Sequence, residues 1–214
     1  MDHQYRRGVL FTGGEGPDAP PADLDLRGAM VVAADSGLSR AVGWGVEPDL
    51  ILGDMDSLND TELLDRFPRE RVRRFEEDKD YTDTELGLRA LEEAGVEEIT
   101  IVGGGGGRLD HLLGIVALFD RDNYPRRWYT GTDRVDCVDR ELLIRGAAGQ
   151  TLSVFPAGRE GCRMQSEGLK WPLDKLSWVR GDAGISNLVV AEICRIRVTQ
   201  GRIIVVRSPA KDSL

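Results

Sequence analysis

The chain predicts an α/β protein: an N-terminal, mostly parallel sheet with flanking helices, followed by a smaller all-β C-terminal sandwich domain. Three observations carry this. Apolar strand-like runs alternate with helical patterns through the first part of the chain, as in a parallel sheet covered by helices. Several of those runs end in Gly or Asp, where such sheets place their ligands, beyond the strand carboxyl ends. After about Asp139 the helical patterns stop and short β-type runs with turn residues take over. The expected division is 1–138 and 139–214.

Taken in order, Gly8-Val9-Leu10-Phe11 reads as a buried strand that enters a Gly turn at Gly13-Gly14. Pro17, Pro20 and Pro21 exclude an immediate long helix. Met30–Ala34 is a second strand ending at Asp35-Ser36-Gly37, and a helix follows over Leu38–Gly43. Leu50-Ile51-Leu52 is a third strand, which delivers Gly53-Asp54. Helix signals run from Ser57 to Phe67 and Pro68 ends them; Val72–Phe75 is a fourth strand. Thr82-Asp83-Thr84-Glu85 fits a capping box, with Leu86, Ala90, Leu91 and Ala94 at helical spacing and Gly95 as the stop. Glu98–Val102 is a fifth strand that runs into Gly103–Gly107, then Arg108-Leu109-Asp110-His111 and an apolar helix to Phe119. Arg127-Trp128-Tyr129 is a sixth strand.

Beyond it, Leu142–Arg145, Thr151–Phe155, Leu176–Arg180, Ile193–Thr199 and Ile203–Arg207 are β-type runs, with Gln200-Gly201 as a hairpin turn. Gly184-Ile185-Ser186-Asn187 reads as a polar turn that supplies hydrogen bonds. A region this small is marginal alone, so packing against the first part or a second subunit is expected.

Composition narrows the function. The chain has 214 residues, 41% of them hydrophobic, and a net charge of −9. An acidic surface argues against nucleic acid as a partner, which needs a basic stripe. It does not argue against a single nucleotide. No apolar run approaches the roughly 20 residues of a transmembrane helix, so no membrane partner is expected. The basic start, Tyr5-Arg6-Arg7, leads into no apolar leader segment. The three cysteines, Cys137, Cys162 and Cys194, lie far apart with no C-x-x-C. They read as buried thiols of a cytoplasmic protein.

Carboxylates gather in two segments after predicted strands: Asp54 and Asp56, then Asp78, Asp80 and Asp83. Hard oxygen ligands grouped in this way suit Mg²⁺, which binds through one or two carboxylates plus substrate phosphates. Two readings stand side by side. The acids hold Mg²⁺ on a nucleotide, or Asp56 or Ser57 caps a helix, Asp83 favours the helix dipole and Glu76–Asp78 is a solvated run. Lys79 makes either salt bridges or a phosphate contact. Gly103–Gly107 with Arg108 is a phosphate-loop candidate or a flexible turn. It is neither a Walker A loop nor a dinucleotide fingerprint. Asp110 caps the next helix or meets metal or substrate; His111 packs at the helix start or acts as a base. Trp171, in Gly168-Leu169-Lys170-Trp171-Pro172-Leu173, is a core residue or stacks on a flat heteroaromatic ligand.

Six blocks occur in a telling order: Ala34-Asp35-Ser36-Gly37, Gly53-Asp54-Met55-Asp56-Ser57, Asp78-Lys79-Asp80-Tyr81-Thr82-Asp83, Gly107-Arg108-Leu109-Asp110-His111, Gly168-Leu169-Lys170-Trp171-Pro172-Leu173 and Ile185-Ser186-Asn187. Together they resemble the thiamine pyrophosphokinases. The resemblance implies an α/β ATP-binding catalytic domain and a β-sandwich thiamine-binding and dimerisation domain, assembled as a homodimer. It implies transfer of pyrophosphate from ATP to thiamine, giving thiamine diphosphate and AMP, with Mg²⁺ as cofactor. Asp54, Asp56 and Asp83 would then serve the metal and the reacting groups. Asp35, Asp80, Arg108 and Asp110 would line the nucleotide and thiamine site, with Asp78, Lys79, Thr82 and Gly107 in the same motifs. Arg108 would stabilise phosphate charge, and Asp83 or Asp110 would handle the thiamine hydroxyl. Trp171, Ser186 and Asn187 would lie near thiamine. One departure is Ser36-Gly37, where the family often has two glycines. Competing expectations are a pyrophosphokinase for another heteroaromatic alcohol, such as a pterin, and a non-catalytic thiamine or nucleotide sensor.

Overall fold

The computed structural model describes residues 5–54, 61–75, 81–174 and 177–208. The chain forms two compact units: 1–115 with 128–131, and 116–127 with 132–214.

The first unit is built on strands β1 (Arg7–Phe11), β2 (Ala29–Ala34), β3 (Leu50–Gly53), β4 (Val72–Arg74), β5 (Glu98–Val102) and the Trp128–Tyr129 part of β6 (Arg127–Tyr129). Their order is β6-β5-β1-β2-β3-β4. The pairs β1/β2, β1/β5, β2/β3 and β3/β4 are all parallel. Phe11 lies level with Ala33 and Val102, and Ala34 with Leu52, so these strands finish along one edge. Helix α1 (Gly37–Gly43) packs on β1 and β2, and α2 (Asp83–Glu93) packs on β1, β2 and β3. Val9, Phe11, Val31, Ala33, Leu38, Ala41 and Ile51 share one buried core, which strand alternation predicts for β1 and β2. Helix α3 (Leu109–Leu118) follows the glycine run.

The helix expected over Ser57–Phe67 is corrected in its described part. Thr61–Arg66 forms a 3₁₀ helix, and residues 57–60 lie outside the described residues. Pro68 follows at once, and the Phe67 N–H bonds to the Leu64 carbonyl three residues back at 3.0 Å. A segment this short closes its last turn in the tighter form.

The second unit is a β-sandwich. One set of strands is ordered β12 (Gly184–Leu188), β9 (Thr151–Ala157), β14 (Arg202–Arg207), β7 (Arg134–Val138). The other is β11 (Ser177–Trp178), β10 (Cys162–Glu167), β13 (Ile193–Gln200), β8 (Glu141–Arg145). All pairs within the two sets are antiparallel. Val138, Leu152, Val154 and Val205 from the first set share a core with Ile144, Cys162, Met164 and Ile196 from the second. Beside it, the buried Asp136 carboxylate takes Arg127, Arg134 and Arg207 at 3.2, 2.7 and 3.4 Å.

Three sequence expectations change here. Gln200-Gly201 is not a hairpin turn. β13 pairs with β10 and β8, whereas β14 pairs with β9 and β7, so Gly201 carries the chain from one sheet to the other. Its φ is +68°, and a Cβ there would stand 2.5 Å from the Gly161 carbonyl oxygen. Gly184–Asn187 is strand, not turn: it pairs with β9 through a register shift. The run at Leu176–Arg180 shortens to the two residues Ser177–Trp178 in the described chain. Arg134–Val138 and Cys162–Glu167 are strands that the apolar pattern did not reveal, because polar residues interrupt both.

Candidate active site

In the first unit two candidate residues directly follow strand ends. Asp35 follows β2 and Asp54 follows β3. Asp35 has φ +47°, a left-handed backbone that L residues adopt at a cost of about 1–3 kcal/mol. Two bonds hold it: its N–H donates to the Leu52 carbonyl at 2.9 Å, and its own carbonyl accepts from Leu38 N–H at 3.0 Å. Its carboxylate lies against Gly53, where a Cβ would come 1.8 Å from Asp35 Oδ1. Gly53 is therefore the space that Asp35 occupies, and the first two motifs are one structure. Asp54 is half-buried.

The start of α2 meets the same edge. Thr12, just past β1, shares a 2.7 Å hydroxyl hydrogen bond with Thr84. Thr82 makes the expected capping box: its Oγ1 accepts from Glu85 N–H at 3.2 Å, and Glu85 Oε2 accepts from Thr82 N–H at 3.1 Å. Asp83 is the first helical residue. Asp56, Asp78, Lys79 and Asp80 lie outside the described residues. Among the described residues no three metal-ligating side chains form a group.

The glycine run divides into two parts. Gly103 N–H donates to the Tyr129 carbonyl at 2.9 Å and Gly104 N–H to Gly13 at 2.5 Å. Gly105 and Glu15 exchange bonds of 2.8 and 2.7 Å. Arg40 braces the facing loop by donating to the carbonyls of Thr12 and Gly14 at 3.0 and 2.7 Å. This is a stitched loop, which does not fit the flexible-turn reading. Gly107, at φ +63°, has open space where a Cβ would stand, so an anion has the Gly107 end to approach. Arg108 then makes a two-point ion pair with Asp110 at 3.2 and 2.6 Å, both side chains being largely exposed. That hydrogen bonding holds the Asp110 carboxyl down at about 2. A carboxylate of that acidity is a weak proton acceptor. His111 is exposed, which does not fit packing at the helix start.

The second unit holds Trp171, Ser186 and Asn187 in one arrangement. Asn187 is buried and clamps the Trp171 backbone from both sides. Its Oδ1 accepts from Trp171 N–H at 3.2 Å and its Nδ2 donates to the Trp171 carbonyl at 2.7 Å. The Trp171 side chain is 55% exposed, so it is not a core residue. Lys170 Nζ stands 4.7 Å from its ring centroid. Ser186 has φ +58°, and among the described residues only it and Asp35 combine a side chain with positive φ. Such outliers concentrate at functional sites. Sequence reasoning missed Thr12, Thr84 and Arg40, since a lone Thr or Arg in a loop carries no local signal.

Two family descriptions match the chain in tandem. Residues 26–124 match "Thiamin pyrophosphokinase, catalytic domain", and residues 140–203 match "Thiamin pyrophosphokinase, vitamin B1 binding domain". The chain belongs to the thiamin pyrophosphokinase family.

Solved structures agree with that membership. The thiamin pyrophosphokinase of Geobacillus thermodenitrificans is 25% identical, with a TM-score of 0.71 over 96% of this chain and 100% of that one. The Bacillus subtilis thiamine pyrophosphokinase is 23% identical, with a TM-score of 0.72 over 94% and 99%. The yeast enzyme shares the fold at 18% identity, with a TM-score of 0.63 over 98% and 89%. No curated protein matches at significance. The chain is thus an enzyme of the thiamine diphosphokinase class, with a mixed α/β part and an antiparallel β part in the family's order.

Proposed function

We propose that the chain transfers a pyrophosphoryl group from ATP to the hydroxyl of thiamine with the residues of the six motifs. Residues 1–138 bind ATP and catalyse; residues 139–214 bind thiamine and pair two copies. The observation that supports this is that Asp35, Asp54 and Gly103 follow strands which finish along one edge, with the start of α2 bonded to Thr12 there. The transferred group is strongly anionic, so catalysis is mainly positioning and charge neutralisation.

The donors Asp54, Asp56 and Asp83 are hard oxygens and fit Mg²⁺. When bound, Mg²⁺ supplies charge neutralisation on phosphate oxygens. Arg108 stabilises charge on the transferred group. Asp35, Asp78, Lys79, Asp80, Thr82 and Gly107 line the nucleotide. Asp83 or Asp110 orients the thiamine hydroxyl and takes its proton, Asp110 being held in an ion pair with Arg108. Trp171 and Ser186 hold the thiamine rings, and Asn187 serves the same site by fixing Trp171.

Exposed apolar side chains support a homodimer: Leu109 and Leu113 on α3, and Val179, Ile185 and Val190 in the second unit. The enzyme works in the cytoplasm, in keeping with three buried free thiols.

The test is to incubate purified protein with thiamine, ATP and Mg²⁺ and separate the products. Thiamine diphosphate with equal AMP is expected, and chelation of Mg²⁺ stops it. Thiamine monophosphate with ADP would overturn pyrophosphoryl transfer.

A further inference from the structure

We infer that Ser153 is a positioning residue for thiamine, acting through the backbone of Ser186; this rests on the thiamine-binding role proposed for Ser186. On the edge strand β12, Gly184 lies opposite Val154 of β9 and Asn187 opposite Leu152. Three residue steps on β12 therefore face two on β9. This is a β-bulge, which leaves the extra residue outside the regular ladder.

Ser186 sits in that bulge at φ +58°. Its N–H turns to a side chain: it donates to Ser153 Oγ at 3.1 Å. Ser153 is the β9 residue between Val154 and Leu152, directly opposite the irregularity. Its other neighbour across the sheet is Val206 of β14, so the backbone of Ser153 is fixed in a central strand. A side-chain acceptor on a fixed strand satisfies a donor that the bulge removes from pairing, and it favours a backbone that L residues otherwise avoid.

The next residue is Asn187, whose amide clamps Trp171. The bulge thus sets two things together: the direction of Ser186 and the register of the clamp. Ile185, beside Ser186 in the bulge, is 69% exposed. Ser153 touches no proposed ligand in this scheme. It decides where Ser186 and, through Asn187, Trp171 stand.

The experiment is steady-state kinetics with thiamine and Mg-ATP varied separately. Ser153→Ala is expected to raise KM for thiamine about tenfold, the size of one lost hydrogen bond, with KM for ATP unchanged. Ser153→Thr keeps the acceptor and is expected to restore the thiamine KM. In a Ser186→Gly background, glycine adopts positive φ without help. Ser153→Ala should then add less than about a twofold change, which is non-additivity expected of coupled sites.

A thiamine KM for Ser153→Ala within about twofold of the unaltered enzyme overturns the inference. So does a parallel rise in both Michaelis constants with a lower melting temperature, which marks a merely structural serine. In either case, unaltered chain that makes thiamine diphosphate leaves the proposed function standing. If the unaltered chain neither turns over nor binds thiamine, both readings fall.

Discussion

The two units hold their candidate residues by different means. In the first unit the backbone does the holding: strand ends, a left-handed Asp35 seated over Gly53, and glycines stitched to the loop after β1. Two charged side chains assist there, Arg40 bracing the loop after β1 and Glu85 closing the capping box. In the second unit side chains build the frame: Asn187 grips Trp171, Ser153 takes Ser186, and Asp136 gathers three arginines. The lesson is that equal-looking substitutions should act differently. In the first unit they should cost turnover, and in the second they should cost folding or thiamine affinity.

The sharpest contrast is Asp136→Asn. It removes the charge that offsets three guanidinium groups and should destabilise the protein by about 3–5 kcal/mol in urea unfolding. Burial pushes this carboxyl up, but hydrogen bonds from Arg134 and the charges of Arg134, Arg207 and Arg127 outweigh it and hold it below its ordinary value. A lowered folded value means its contribution is complete above the ordinary carboxylate range and is lost as pH falls through the folded value. The melting temperature of the unaltered protein should therefore carry this term at pH 5 and lose it in stronger acid, and the Asn variant should lack that loss.

Asp83→Asn is next. It should lower kcat by about 10²–10³-fold, the cost of removing a group aimed at the reacting charge, while the melting temperature stays put. A fully active Asp83→Asn, or one that unfolds, would erase the distinction between the two regions.

Asn187→Ala should raise KM for thiamine about tenfold or more by releasing both bonds to Trp171, with a modest loss of stability. Titration of tryptophan fluorescence with thiamine reads the binding directly. The smallest expected effect is that of Arg108→Gln on folding. Its ion pair with Asp110 is exposed, so the melting temperature should not move, although turnover falls. A drop in melting temperature would show that this pair supports the frame after all.

Much of the first unit was legible because its signals are local. The capping box at Thr82–Glu85 needs only four neighbouring residues and is present in the structure. The strands before Asp35, Asp54 and Gly103 were short apolar runs, and each ended at the residue that marked it. Within the expected Ser57–Phe67 helix the described residues Thr61–Arg66 form a 3₁₀ helix, because the same apolar spacing serves a 3₁₀ turn when a proline follows. In the second unit β12 was read as a turn, since Gly184, Ser186 and Asn187 are turn formers by local preference. Pairing with β9 overrode that preference. Gly201 was read as a hairpin because both flanking runs are strands, and nothing local says which sheet each joins.

By itself the sequence determined the order of the elements, the α/β-then-β division and the chemistry of the motifs. These rest on periodicity, capping and residue type, which are properties of neighbours in the chain. Only the tertiary structure decided that Asp35 and Gly53 share one space, that Gly13–Glu15 anchors Gly103–Gly105, and that Ser153 completes the bulge at Ser186. Each of these joins residues far apart in sequence, and contacts of that kind follow from strand order and register, which no local pattern encodes.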